Sequence, residues 1–131
     1  MVLNLFENLV NDGYNFFTGV PDSGLKPFIN DIIKSDFQHI IATNEGQSVG
    51  IAVGAELAGM KSCVYLQNSG LGNIVNPLTS LCIPHNIKPL LIIGHRHTLP
   101  QHKVMGEIDE KLINLIGYDS YILVKGDNNV K

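Results

Sequence analysis

Apolar residues along the chain fall into short continuous runs that alternate with segments of helical spacing. Five runs have the length and composition of buried strands: YNFFTGV, HIIAT, SCVYLQ, KPLLIIGH and SYILVK. Helices are predicted before and between them at residues 2–11, 23–35, 45–60, 70–82 and 104–116. This alternation predicts an α/β fold of three layers, α/β/α, with a mostly parallel central sheet. We find no internal repeat or linker, so a single domain over residues 1–131 is predicted.

Two of these elements carry a more specific prediction. KPLLIIGH is continuously apolar, as is typical of a strand buried on both faces. The last helix is expected to bury one apolar face and to end at Gly117. The residues of that face are Met105, Ile108, Leu112, Leu115 and Ile116.

Polar residues collect where four of the predicted strands end. The segments are TGVPDSG, TNEG, QNSGLGN and GHRHTLPQH. Ligands of parallel α/β sheets bind beyond the carboxyl ends of the strands. Four loops at one edge of the sheet therefore predict a binding or catalytic site there.

The composition argues against nucleic-acid-binding, membrane and secreted classes of protein. The chain has 131 residues, 44% of them hydrophobic, and a net charge of −3, which gives no electrostatic basis for binding nucleic acid or an anionic membrane. No apolar run approaches the roughly 20 residues of a membrane span, and the first residues lack the basic start of a secretory signal. Cys63 and Cys82 form no CxxC pair, so we expect reduced core residues and a cytoplasmic protein.

Glu45 is the first candidate for chemistry. An acid in the first turn stabilises a helix by about 0.3–1 kcal/mol, and this effect alone could explain the position of Glu45. Its helix, however, is rich in glycine and alanine and is suited to close packing, for example against a second subunit. Burial of the acid at such a contact would favour its protonated form, as proton transfer requires. The residues alone leave both interpretations open.

The loops after the first and third strands allow similar alternatives. Asp22 and Ser23 are typical of turns and helix N-caps, but a second acid at this edge could also shuttle protons. QNSGLGN, residues 67–73, is either a flexible turn with caps or a loop whose amides face a ligand. It matches neither the dinucleotide-binding glycine motif nor a phosphate-binding P-loop.

The loop after the fourth strand is rich in cations. Arg96 is suited to forked contacts with a carboxylate, phosphonate or sulfonate, although a solvated loop is the plainer interpretation. His95 and His97 form an H-x-H pair, but no third ligand stands at a suitable spacing, so no metal site is predicted on this chain. His39 and His85 are expected to be ordinary surface or core histidines.

Several of these segments together resemble one protein family. FFTGVPDSGLKPF, TNEGQSVGIAVGAELAG, VYLQNSGLGNIVNPLTSL and PQHKVMG are similar to the pyrimidine-binding (Pyr) domain of thiamine-diphosphate-dependent decarboxylases. The resemblance covers residues 5–117 and is greatest to decarboxylases of 3-phosphonopyruvate, with sulfopyruvate decarboxylase alpha subunits next. It implies a lyase that removes CO2 from a 2-keto acid.

The resemblance also implies roles for individual residues. The acid matching Glu45 hydrogen-bonds the aminopyrimidine ring of the cofactor and promotes its activation by proton transfer, and Asp22 matches an acid suited to a proton relay. Further cofactor contacts are implied for Val20, Pro21, Asn68, Ser69 and Gly70. Substrate contacts are implied for Ser23, Asn68, Arg96 and His102. The PQH at residues 100–102 favours phosphonopyruvate over sulfopyruvate.

Two departures from the family pattern shape the expected assembly. The family usually has WRG after the fourth strand, whereas this chain has HRH at residues 95–97, with Arg96 retained. The family's GDG motif with a later asparagine, which holds Mg2+ and the diphosphate, is not found, and KGDNNVK does not complete it. We therefore expect a beta subunit that supplies the diphosphate-binding domain and a hetero-oligomer that binds thiamine diphosphate and Mg2+. Sulfopyruvate decarboxylase, another 2-keto acid decarboxylase and a non-catalytic flavodoxin-like interaction module are the alternatives.

Overall fold

The computed structural model describes residues 4–125, and within them the strands form one parallel sheet. The sheet order is β2-β1-β3-β4-β5, and every neighbouring pair is parallel. The strands are β1 (Phe16–Gly19), β2 (Gln38–Ile41), β3 (Ser62–Gln67), β4 (Leu90–Gly94) and β5 (Tyr121–Val124). All five were predicted from the apolar runs, and the α/β fold is confirmed.

Helices connect the strands and cover both faces of the sheet. They are α1 (Leu5–Asn11), α2 (Lys26–Lys34), α3 (Glu45–Leu57), α4 (Val75–Pro77), α5 (Ile83–His85) and α6 (Pro100–Ile116). Residues 2 and 3 of the predicted first helix and residues 126–131 of the predicted charged tail lie outside the described residues. The last helix begins earlier than predicted, at Pro100, because proline suits the first turn of a helix.

The segment between β3 and β4 differs most from its prediction. Instead of one helix over 70–82, it contains a 3-10 helix (Asn68–Ile74), α4, a π-helical turn (Leu78–Cys82) and α5. Glycines near its start and Pro77 within it weaken regular α-helical hydrogen bonding. The 3-10 helix Asn68–Ile74 directly follows β3, so this loop lies at the carboxyl edge of the sheet.

Two apolar clusters, one on each face, hold the layers together. On one face Phe17, Tyr65 and Ile92 pack with side chains of α1 and α2. On the other face, residues of α3, the segment 68–85 and α6 pack against Val64 and Leu91. β4 is buried along its whole length, as predicted for a strand covered on both faces.

Cys63 and Cys82 are buried, unpaired residues in opposite clusters, in agreement with the prediction that both are core residues. Burial raises the pKa of the Cys63 thiol and raises that of Cys82 to about 11.

The strand order reverses between β1 and β3, and this fixes where a ligand can bind. In sheets of order 2-1-3-4-5, ligands occupy the crevice at the switch point between the first and third strands. The two strands approach closely there, since a Cβ on Gly19 would clash with the carbonyl oxygen of Tyr65. The segments that leave β1 and β3 at this point carry Asp22 and Asn68, two of the predicted site residues.

Candidate active site

Glu45 begins α3, and its carboxylate lies against the loop that follows β3. The helix cap is supplied by its neighbour: the side-chain oxygen of Asn44 accepts from the backbone N–H of Gln47 at 2.9 Å. The Glu45 carboxylate is therefore not needed as a cap and makes another contact, in which Oε1 accepts from Asn73 Nδ2 at 2.7 Å. The structure thus brings Glu45 to the β3 loop, whereas the sequence predicted only that the two loops share one edge of the sheet.

Gly70 makes this approach possible. A Cβ on Gly70 would lie 2.5 Å from Cγ and 2.8 Å from Oε2 of Glu45, distances that no real Cβ tolerates. The backbone of Gly70 therefore forms one side of the space that holds the carboxylate. Glycine here permits the close approach of the Glu45 side chain, and Gly70 does not have a positive backbone φ.

Asp22 and Ser23 both bind Arg96, which follows β4. Arg96 Nη1 donates to Oδ1 of Asp22 at 3.0 Å and to Oγ of Ser23 at 3.1 Å. The Asp22 side chain is 2% exposed and that of Arg96 is 19% exposed. Asp22 is the N-cap residue of a 3-10 turn (Ser23–Leu25), as predicted for this segment, and Leu25 is that of α2. Within residues 4–125 neither makes a side-chain capping hydrogen bond, and the Asp22 carboxylate binds Arg96 instead.

The second oxygen of Asp22 is buried without a partner. Oδ2 has no hydrogen bond from any described residue. Two glycines leave room for it, since a Cβ would lie 2.7 Å away on Gly94 and 3.1 Å away on Gly24. An unsatisfied buried acceptor costs about 1–3 kcal/mol, which a donor on a bound molecule would recover. This oxygen therefore suits a ligand that donates a proton or a hydrogen bond.

Asn68 is fully buried and uses both of its N–H donors within the protein. Nδ2 donates to the backbone carbonyl of Arg96 and to Oδ2 of Asp109, each at 3.0 Å. Because both partners are acceptors, the orientation of the amide is determined. Oδ1 is buried and has no partner among the described residues. Asn68 can thus bind a ligand only as a hydrogen-bond acceptor, whereas the sequence implied a contact without specifying donor or acceptor.

The sequence did not identify Asp109 as part of the site, and it named His95 only as a histidine of the loop after the fourth strand. Asp109 lies on α6, is 3% exposed and is 2.5 Å from Nδ1 of His95. The predicted apolar face of α6 is partly wrong, because Leu115 is 85% exposed, whereas Asp109 and Ile113 are buried. Asp109 precedes Ile113 by one helical turn, so an acid on the core-facing side of the helix was the available signal.

Ser69 and His102 meet through Gln67, the last residue of β3. Gln67 Nε2 donates to Ser69 Oγ at 2.9 Å and lies 3.5 Å from Nδ1 of His102. The predicted His102 is thereby placed beside the β3 loop, on the first turn of α6.

A surface cavity of about 260 Å³ opens beside Asp22 and Ser23. Its lining residues are Pro21, Asp22, Ser23, Lys26, Ile29 and Asn30. Val20, which was also predicted to contact the cofactor, joins Pro21 to the end of β1. Lys26 forms no ion pair with any described residue, so Asp22, Arg96 and Lys26 together carry one net positive charge.

The described residues contain neither a cluster of metal ligands nor a membrane-spanning helix. Within residues 4–125, no group of three or more His, Cys, Asp or Glu side chains is arranged to hold a metal ion. No helix in that range has the length and apolarity needed to cross a bilayer.

Comparison with known proteins identifies the family. The chain is 39% identical over 118 residues to phosphonopyruvate decarboxylase of Streptomyces viridochromogenes, which covers 86% of this chain. It is 36% identical over 118 residues to sulfopyruvate decarboxylase subunit alpha of Methanococcus maripaludis, covering 86% of this chain and 70% of that protein. The corresponding subunit of Methanocaldococcus jannaschii is 36% identical over 125 residues, 91% of this chain and 73% of that protein. The chain belongs to the phosphonopyruvate and sulfopyruvate decarboxylase family.

Membership of this decarboxylase family confirms the resemblance inferred from the motifs. The chain spans 30% of the length of the Streptomyces phosphonopyruvate decarboxylase, against 70% and 73% of the two alpha subunits. No protein-family model matches the sequence.

Proposed function

We propose that the chain is the alpha subunit of a thiamine-diphosphate-dependent decarboxylase that acts on a 3-substituted pyruvate. The preferred substrate is 3-phosphonopyruvate, which would yield phosphonoacetaldehyde and CO2. The observation that carries the proposal is the contact between Glu45 and Gly70 at the switch point of a chain from this decarboxylase family. It joins the two motifs that define the resemblance, NEG and QNSGLGN, at one place.

The residues at this edge fit the pyrimidine part of thiamine diphosphate. When bound, the cofactor supplies an electron sink that stabilises the carbanion left by CO2 loss. Glu45 would accept and return the proton of the pyrimidine ring, with Asn73 holding Oε1 in place. Oδ2 of Asp22 and Oδ1 of Asn68 are unsatisfied acceptors, which suits the amino group of such a ring or a proton in transit.

The substrate would bind where the local charge is positive. Arg96 uses only Nη1 in its contacts with described residues, which leaves Nη2 and Nε available for an anion. Ser23 lies beside it, Lys26 adds a further cation, and His102 faces the neighbouring loop. A 3-phosphonopyruvate or sulfopyruvate carries an anionic group besides its carboxylate, and this region would favour both charges.

The diphosphate and Mg2+ would be held by a beta subunit. The alpha-subunit relatives carry a name that implies a second subunit. Gly50 and Gly54 of α3 are exposed, and a Cβ at either position would meet no described atom beyond its chain neighbours and the backbone of its own helix, which leaves this helix face open for the subunit contact. The cofactor would then lie between the two chains, with Glu45 contributed by this one.

Reconstitution tests the proposal. The chain is combined with the candidate beta subunit, thiamine diphosphate and Mg2+, and CO2 release is measured from 3-phosphonopyruvate, sulfopyruvate and pyruvate. The highest kcat/KM is expected for 3-phosphonopyruvate. Absence of turnover on all three substrates by a correctly assembled complex would contradict the proposal.

Sulfopyruvate decarboxylase is the second candidate, and one observation favours it. The chain covers most of the sulfopyruvate alpha subunits but less than a third of the phosphonopyruvate enzyme. A higher kcat/KM on sulfopyruvate in the same assay would select this alternative and leave the proposed mechanism unchanged.

A further inference from the structure

A buried carboxylate on α6 joins the loops that follow β3 and β4. Asp109 is 3% exposed, and its Oδ2 accepts from Asn68 Nδ2 at 3.0 Å and lies 2.5 Å from His95 Nδ1. Its Oδ1 accepts from the backbone N–H of Glu110 at 2.7 Å. One side chain therefore holds two loops that meet at the proposed site.

The position of Arg96 depends on this junction. Asn68 donates its second N–H to the backbone carbonyl of Arg96, and His95 is the preceding residue in the chain. The Arg96 backbone is thus fixed from both sides by groups bound to Asp109. The Arg96 side chain extends from this backbone, and its Nη1 lies 3.0 Å from Oδ1 of Asp22 and 3.1 Å from Oγ of Ser23.

Packing alone does not account for an acid at this position. α6 buries its core-facing side against apolar residues, and an apolar side chain at residue 109 would serve that contact without desolvating a charge. The acid is satisfied because Asn68 and the backbone N–H of Glu110 donate to it and Nδ1 of His95 lies 2.5 Å from its Oδ2.

We propose that Asp109 is a positioning residue for Arg96. Through His95 and Asn68 it holds the loop after β4 so that the Arg96 guanidinium can bind the anionic group at the 3-position of the substrate. This role rests on the proposed function, in which Arg96 binds the substituted pyruvate. Asp109 itself contacts neither substrate nor cofactor.

The kinetic test compares Asp109→Asn with Asp119→Asn in the reconstituted enzyme. Asp119 is an exposed acid paired with Lys88, so its variant makes the same chemical change far from the site. Asp109→Asn is expected to raise KM for 3-phosphonopyruvate, by up to ~100-fold, with a much smaller change in kcat, because a small displacement of a binding group is costly. Asp119→Asn should leave both constants unchanged. A loss confined to kcat would overturn the proposal.

A double-mutant cycle distinguishes positioning from general damage. If Asp109 acts through Arg96, then Asp109→Asn should add little to the loss already caused by Arg96→Lys. Fully additive effects on KM would overturn the proposal.

Variants of His95 keep the test decisive if Asp109→Asn folds poorly. His95→Asn retains an N–H donor close to the position of Nδ1, whereas His95→Leu removes it. KM should remain nearer the wild-type value in His95→Asn than in His95→Leu. Equal increases in the two variants would contradict the role assigned to Asp109.

A spectroscopic readout is independent of turnover. In 15N NMR spectra of the wild-type chain, Nδ1 of His95 should carry a proton protected from solvent exchange, and the Arg96 guanidinium N–H signals should be slowed in exchange. Both signatures should be lost in Asp109→Asn and retained in Asp119→Asn. If the reconstituted enzyme shows no activity, the proposed function fails, while unchanged Arg96 signals in Asp109→Asn would reject the positioning role separately.

Discussion

At the scale of single residues, the site depends on which side chains are left free by the local structure. Asn44 caps α3, so the adjacent Glu45 can turn its carboxylate to the β3 loop. The sequence predicted that Glu45 opens a helix after a strand, and the structure places it there, at the edge where parallel sheets bind ligands. Its role in the site stays a prediction. The sequence could not assign Asn73 as the partner of Glu45, because that contact depends on the 3-10 backbone of residues 68–74.

Glu45→Gln should abolish most turnover without disturbing assembly. The amide keeps the size of the side chain but cannot accept and return a proton, so kcat should fall by at least about 100-fold, within the range of general acid–base effects. Steady-state CO2 release and size-exclusion chromatography measure the two properties. Glu107→Gln, an exposed change on α6, is the control. Normal rates in Glu45→Gln would refute the role of this acid.

Gly70→Ala should displace the Glu45 carboxylate, because the new methyl group would lie 2.5 Å from Cγ of Glu45. Overpacking of this kind costs about 1–3 kcal/mol in the free energy of unfolding and should also lower kcat. Gly72→Ala is a matched control in the same loop, since no described atom lies within 4 Å of its Cβ. Chemical denaturation and steady-state kinetics measure both effects. Equal behaviour of the two variants would show that Gly70 is not required for close approach.

At the scale of elements, regular strands and amphipathic helices were predictable, and the irregular segment was not. The five strands follow from apolar runs with clear turn residues, and α1 has the capping box of Asn4 and Glu7. Residues 68–85 contain several short helices of different pitch, which hydrophobic spacing does not distinguish. The buried acid of α6 was missed for a related reason, since its partners lie in loops distant in sequence.

His39 on the edge strand β2 should make the free energy of unfolding depend on pH. His39 of β2 is 2.7 Å from the hydroxyl of Tyr65 in β3, and partial burial lowers the pKa of His39. A histidine with a lowered pKa in the folded state stabilises the fold above its unfolded pKa, near 6.5, and this contribution is lost as pH falls below that value. The free energy of unfolding, measured with urea between about pH 7.5 and about pH 5, should decline as the pH falls through the unfolded pKa. His39→Gln should flatten this decline, whereas an identical slope in the variant would assign the pH dependence to other groups.

At the scale of the whole molecule, the fold class followed from the alternation of elements, but the strand order did not. Periodicity does not specify which strands are neighbours, and the switch point between β1 and β3 emerges only from the assembled sheet. The assignment of residues 1–131 to one pyrimidine-binding domain stays a prediction, as does the beta subunit.

The two cysteines should report unfolding of the whole domain. Cys63 and Cys82 are fully buried on opposite faces of the sheet, and burial raises the pKa of both thiols. Neither should react with a thiol reagent in the native state near pH 7, and in dilute urea both should be labelled at the same rate. Mass spectrometry of the labelled peptides gives the two rates. Faster labelling of one cysteine would show that its face opens independently.

The contact between Asp22 and Arg96 also has a consequence for how the protein matures. The two residues are 74 positions apart, and β3 lies between the strands that carry them. Their pairing requires the closure of a long loop and the assembly of three strands, which are the slow events in forming a parallel sheet. A partly folded or newly made chain therefore lacks this part of the site. Binding competence arises only with completion of the sheet, so an immature chain would not hold substrate prematurely.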